Sequence, residues 1–296
     1  MSFNSVKKML EEAARSDLSL PEMIMADDLE DSLLTKEQSV QKMKYLWQVM
    51  NATSEEYCAE DRSNSGLAGG NAAKIRKAAE AGKLIGDQFM FEVIEESMKT
   101  AECNACMKRI VAAPTAGSCG VLPGVLIPLS RRHKDDPDFE KKIIEALYVA
   151  AGFGQVTAAR ASVSGAEGGC QAEIGTAAAM AAAALAWAGG GTAEQCSDAF
   201  AIALTNMLGL VCDPVAGLVE IPCINRNAAG AMTAVSAADM ALAGISSDIP
   251  ADEVIDSMKE VGDVMVSELR ETGKGGLAGT PTGRKIAEDL SRSAAE

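Results

Sequence analysis

Three cysteines stand in local sequence that an ordinary packed thiol does not need: Cys170 in SGAEGGCQAE, Cys212 in GLVCDPVAGL and Cys223 in VEIPCINRNAAG. Gly168 and Gly169 would let the backbone approach a bulky group, and Pro214 and Pro222 should keep the chain non-helical around the other two thiols. Thiolates are soft ligands for zinc and for iron–sulfur clusters, and apolar neighbours such as these would shield a cluster from water and oxygen. The gaps of 42 and 11 residues match neither a ferredoxin run nor a zinc-finger pattern. Spacing therefore leaves two readings open, a metal centre or three buried free thiols.

The other thiols are plainer. Cys103 and Cys106 form a CxxC, but no second pair and no nearby histidine completes a zinc site, so two packed thiols on a helix are expected. Cys58, Cys119 and Cys196 are read the same way, Cys119 being notable for its place in PTAGSCG. His133, the only histidine, lies in RRHKDDPD, a charge-rich run that should be a solvated loop. Glu167 and Glu173 flank Cys170 and read first as helix-end carboxylates, second as acid–base candidates.

Taken together, GAEGGCQAEIG, CDPVAGLVEIPCINRNAAGA and GGLAGTPTG resemble the α chain of the iron–sulfur L-serine dehydratases of the two-chain type. The likeness covers residues 162–283, with support from APTAGSCGVLPGVLIPL and RSNSGLAGGNA. It implies an all-helical catalytic domain, a [4Fe-4S] cluster held by Cys170, Cys212 and Cys223, L-serine as substrate, and a separate β chain in a heteromeric complex. Single-chain members of that family end in a cysteine that reaches the open iron. No cysteine follows Cys223 here, so no such tail ligand is expected.

Three thiolates on four irons leave one iron free to act as a Lewis acid. In such a site Thr115 and Ser118 are candidates to bind a substrate carboxylate from a glycine-containing turn, the alternative being a turn held by its own hydroxyls. Arg226 and Asn227 are candidates for the same carboxylate, or else order the cysteine loop. Glu167 is carried as a catalytic candidate, and the general base is otherwise unassigned. An iron–sulfur cysteine desulfidase and a non-catalytic iron–sulfur subunit are the rivals. A pyridoxal-phosphate enzyme is disfavoured, because its phosphate cup should follow a strand, whereas Gly189, Gly190 and Gly191 follow an Ala-rich run.

The elements that must position these residues read as helices. Hydrophobic residues make up 48% of the chain but aromatics only 4%, a mix suited to close helix packing rather than sheets. Apolar residues at helical spacing predict helices over residues 35–50, 87–109, 173–188 and, from a Thr192/Gln195 capping box, to about Leu210. Asp136 and Pro137 should start another, through Phe139, Ile143 and Leu147. Asn71 is a candidate cap, residues 1–15 read as an amphipathic helix, and Val254 to Leu269 as the last one. Pro114, Pro123 and Pro128 predict that residues 111–130 are not one simple helix.

The expected architecture is a single all-α domain over residues 1–296, with N-terminal helices in 1–60 and the cluster-binding core in 61–296. A net charge of −15 argues against nucleic acid. The uncharged run at 174–193 is mostly Ala and Gly, which predicts a buried helix rather than a membrane span. With no secretory pattern and eight cysteines, a reducing cytoplasmic setting is expected.

Overall fold

The computed structural model describes residues 3–293. Among these the fold is all-α, with helices α1 (Val6–Arg15), α2 (Leu20–Ser32), α3 (Lys36–Glu55), α4 (Asn71–Glu80), α5 (Gln88–Ala105), α6 (Val121–Arg132), α7 (Phe139–Arg160), α8 (Gly165–Gly168), α9 (Thr176–Ala188), α10 (Ala193–Thr205), α11 (Cys223–Leu242), α12 (Ala251–Val264) and α13 (Pro281–Ser293). No strand occurs among the described residues, only an isolated parallel bridge between Cys212 and Arg270. No described helix is long and apolar enough to cross a membrane.

The centre is α9. Ala177, Ala178, Ala179, Ala181, Ala182, Ala183 and Ala184 are all wholly buried, so this helix has no polar face and packs against α7, α10 and α11. Small side chains let those helices approach closely. Around it lie larger residues: Phe153 of α7 stacks on Phe200 of α10 with ring centroids 5.0 Å apart, and Ile24 of α2 is wholly buried against α7.

Local signals set several helix starts. Thr35 and Gln38 form a reciprocal capping box at α3, and Thr192 and Gln195 do the same at α10, satisfying amide donors that the first turn leaves open. Asn71 does not cap α4. Gly70 holds that position, and the Asn71 N–H donates to Glu102 Oε1 at 2.7 Å. The helix after Asp136 and Pro137 begins slightly later, at Phe139.

As the prolines predict, residues 111–130 are not one helix, since no helix covers 111–120, but Pro123 and Pro128 do not themselves break helical structure. Helix α6 runs through both Pro123 and Pro128. Pro123 falls in the first turn, where amide hydrogens have no helical partner to lose, and Pro128 is accommodated inside a fully buried turn. At the C-terminal side, α10 ends at Thr205 rather than near Leu210, α12 ends at Val264 so that Leu269 belongs to a separate 3-10 turn (Ser267–Leu269), and the last helix is α13. Glycines and Pro281 in GKGGLAGTPTG obscure that last boundary, since they end one element and start the next.

A buried ionic cluster joins α3, α5 and α6. Lys99 Nζ lies 2.9 Å from Glu95 Oε1 and 2.8 Å from Glu96 Oε1, Arg131 Nη1 lies 2.7 Å from Glu96 Oε1, and Ser54 Oγ donates to Glu96 Oε2. Burial pushes the Glu96 carboxyl up, but Lys99, Ser54 and Arg131 outweigh it and hold it below its ordinary value. Its folded pKa is thus the lower one, so its stabilisation is present above the ordinary carboxylate pKa and is lost as pH falls through the folded value. Replacing Lys99 with Met should cost about 3–5 kcal/mol at pH 7, the penalty of breaking a buried pair. In urea melts the loss should shrink as pH is lowered and Glu96 of the variant takes up a proton. A pH-independent loss would show that packing, not charge, is what Lys99 contributes.

Candidate functional site

The segments carrying Cys170, Cys212 and Cys223 meet at one end of the buried helices. Cys170 lies between the short helix α8 and a π-helical turn (Gln171–Gly175) that runs directly into α9. Cys212 opens an irregular loop, paired with Arg270 by the isolated bridge. Cys223 is the first residue of α11, so Pro222 precedes a helix there rather than keeping the thiol in a non-helical stretch.

The thiols sense one another. A hydrogen bond from Cys212 holds the Cys170 thiol below its ordinary pKa against the effect of burial, with help from the positive charge of Arg226. The same bond, together with burial, pushes Cys212 strongly up. Burial and the neighbouring Cys170 push Cys223 up to about 12. All three are free thiols, and the group favours one thiolate at a time in the absence of a cation.

Glu173 completes the cluster. Its Oε2 accepts from Cys212 Sγ at 3.9 Å, and burial raises its carboxyl above the ordinary range, with the Thr115 hydroxyl pulling the other way. A Cβ on Gly165 would lie 2.7 Å from Glu173 Oε2 and 2.9 Å from Cys212 Sγ, so that position must be glycine for carboxylate and thiol to sit side by side. Glu173 does lie at a helix start, in the π-helical turn that leads into α9, but its carboxyl is turned to Thr115 and Cys212. Glu167 is exposed and lines a cleft with Met258, Lys259, Asp263 and Arg270, away from this contact. Gly168 and Gly169 are close to protein atoms, Ala172 and Met265 respectively.

The other expected residues shape the loops. Ser118 is wholly buried; its hydroxyl lies 3.1 Å from Thr115 Oγ1 and accepts from the Thr115 N–H at 3.3 Å. This is a turn held by its own hydroxyls, with Thr115 turned to Glu173. Asn227 is fully engaged: Oδ1 accepts from Gly120 N–H at 2.8 Å, and Nδ2 donates to the carbonyls of Gly117 (2.8 Å) and Cys223 (2.9 Å). It ties the PTAGSCG turn to the start of α11. Arg226 Nη1 donates to the Val211 carbonyl at 2.9 Å and lies 2.8 Å from Asp213 Oδ1.

Asp213 and Glu220 are functional-loop residues that local sequence did not single out. Asp213 Oδ2 accepts from the Leu277 N–H at 2.7 Å, which brings GGLAGTPTG onto the Cys212 loop. Glu220 Oε2 accepts from Ser63 Oγ at 2.9 Å and Ser65 Oγ at 2.6 Å, which brings in RSNSGLAGG. The glycine-containing motifs are thus parts of one construction. The signal was present as proximity to the cysteines, but the partners are distant in sequence.

Elsewhere, burial pushes Cys119 to about 12 and Cys103 to about 11. Cys119 Sγ points to the Thr100 carbonyl at 3.8 Å. These are packed thiols. His133 is exposed at the end of α6 and stacks on Phe139, ring centroids 4.1 Å apart.

Among the described residues, no group of three or more His, Cys, Asp or Glu side chains is arranged to hold a metal ion. A four-iron cluster takes each thiolate on a different iron and so does not require donors to converge on one point. The donor set fits such a group: three neighbouring thiols with no disulfide among them, and one arginine whose charge favours a thiolate. Replacing Asn227 with Ala leaves the Gly120 N–H and the Gly117 carbonyl without the partner they have here, and should destabilise the protein by about 3 kcal/mol in a denaturant melt. The thiols of Cys170, Cys212 and Cys223 should then react faster with a thiol reagent under native conditions. Unchanged melting and reactivity would show that the turn holds without it.

A family model described as serine dehydratase alpha chain matches residues 6–278. The chain is 46% identical over 288 residues to the probable L-serine dehydratase, alpha chain, of Bacillus subtilis (strain 168), covering 97% of this chain and 95% of that one. It is 40% identical over 289 residues to the L-serine dehydratase, alpha chain, of Peptoniphilus asaccharolyticus, covering 97% and 98%. L-serine dehydratase 2 of Escherichia coli (strain K12) is 36% identical over 286 residues, which are 93% of this chain and 61% of that one. With the motif loops, the all-α fold and a match from end to end in agreement, this chain belongs to the serine dehydratase alpha chain family.

Proposed function

We propose that this chain is the catalytic α chain of an iron–sulfur L-serine dehydratase, working with a β chain in the cytoplasm to convert L-serine to pyruvate and ammonia. The observation that carries the reading is the meeting of Cys170, Cys212 and Cys223 beside the partly buried carboxyl of Glu173. A [4Fe-4S] cluster held by these three cysteines would supply an open iron as a Lewis acid for the departing hydroxide.

The chain's own residues then have defined tasks. Cys170, Cys212 and Cys223 are the ligands, and Arg226 favours the thiolate of Cys170. Glu173 is the side chain best placed to take the Cα proton, on a carboxylate oxygen that Thr115 orients. Ser118 and Asn227 hold the turn on which Thr115 stands. Loss of hydroxide and proton leaves an enamine, which tautomerises and hydrolyses to the products.

A second chain is supported by two relatives that carry the name alpha chain and match end to end, and by the greater length of the Escherichia coli relative. The test is anaerobic purification of the complex with iron and sulfide counted. Alanine at 170, 212 or 223 should each abolish both iron and pyruvate formation, while alanine at 103 should spare them. Serine should outcompete cysteine as the source of pyruvate. Iron-free anaerobic material, or a preference for cysteine, would sink the proposal. Glu173→Gln should keep the iron and lower kcat by about 100-fold or more; an unchanged kcat would remove Glu173 from the proton path.

A further inference from the structure

Glu271 has a backbone conformation that its residue type avoids. Its φ is 62°, in the left-handed region where a Cβ is crowded. Leu33, Met107 and Ala216 share that conformation; Leu33 ends α2 and Met107 lies just past α5, places where it is common, and Ala216 lies in the 3-10 turn of the loop between Cys212 and Cys223. Glu271 ends no α-helix. It follows the 3-10 turn beside the thiols, and its N–H donates to the Cys212 carbonyl at 2.7 Å. The same loop uses glycine at positive φ at 273 and 276, whereas position 271 carries a carboxylate in that conformation.

The charge around it is unbalanced. The carboxylate of Glu271 is close enough to act on both Glu173 and Cys212, and it is only partly buried. The arginines of these loops are engaged elsewhere. Arg226 is taken by Asp213 and the Val211 carbonyl, and Arg270 donates to the carbonyls of Met265 and Asp263. Two carboxylates therefore face the same thiols with no cation dedicated to them, an arrangement that a positively charged ligand group would relieve.

We propose that Glu271 receives the α-ammonium group of the amino-acid substrate and so makes the site select α-amino acids over hydroxy acids that lack the amine. The inference rests on the site being the one that handles L-serine. It places the ammonium on the Glu271 side of the thiols and leaves Glu173 for the proton. The bond from its N–H to the Cys212 carbonyl fixes Glu271 to the ligand loop.

The test uses the anaerobic, cluster-loaded complex and two probes, L-serine and 3-hydroxypropanoate, which is serine without its amine. Binding of each is measured by calorimetry alongside steady-state turnover, for the wild type, Glu271→Gln and Glu271→Gly. The glycine variant suits the left-handed turn, so it separates loss of the carboxylate from loss of the fold. Both variants should lose roughly tenfold or more in serine affinity, with little change for 3-hydroxypropanoate, and KM should rise more than kcat falls. Variants that keep the wild-type preference for serine, or that weaken both probes equally, overturn the proposal. A wild-type complex that carries its iron yet neither binds nor turns over serine overturns the functional reading, and this inference with it.

Discussion

Two buried carboxylates govern the loop between Cys212 and Cys223. Asp213 and Glu220 are almost fully enclosed, and an ionised group in that setting is tolerated only with partners. The partners come from far along the chain: Arg226 and the Leu277 amide for Asp213, the hydroxyls of Ser63 and Ser65 for Glu220. The loop contains little regular structure, only a 3-10 turn (Val215–Gly217). Its shape is set by these charges rather than by backbone propensity, and the position of two thiols is set with it.

The helical body and the motif loops therefore obey different physics. The body is held by apolar burial and close approach, as in α9 against its neighbours. The loops are held by polar contacts, among them the three hydrogen bonds of Asn227 and the hydroxyl pair of Thr115 and Ser118. Cys170 belongs to both regimes, since the π-helical turn after it merges with α9. One thiol is thus anchored on the core, and the other two on a charge-pinned loop that closes over it.

Much of the helical body was legible in the sequence, because the spacing of Phe139, Ile143 and Leu147 or the Thr192/Gln195 box reports on a single element at a time. Where two influences competed, local reading failed. Pro123 and Pro128 signal a break, yet Pro123 sits harmlessly in the first turn of α6 and Pro128 is accommodated in its buried interior. The meeting of the glycine-rich motifs was legible only as a family pattern, because no local rule links Ser63 to Glu220 or Leu277 to Asp213. Glu173 could be read from sequence only as a helix-end carboxylate or an acid–base candidate, for the same reason: the groups around it, Gly165, Thr115 and Cys212, come from other segments.

The alanine-walled helix α9 has one more consequence. An alanine gives up no side-chain rotamers on folding, and it leaves the neighbouring backbones almost touching. That scaffold has no slack volume, so even one added methylene there must push a whole neighbouring helix aside. Because Cys170 rides on the same rod, bulk introduced near Ala182 would be felt as a shift of the thiol several turns away.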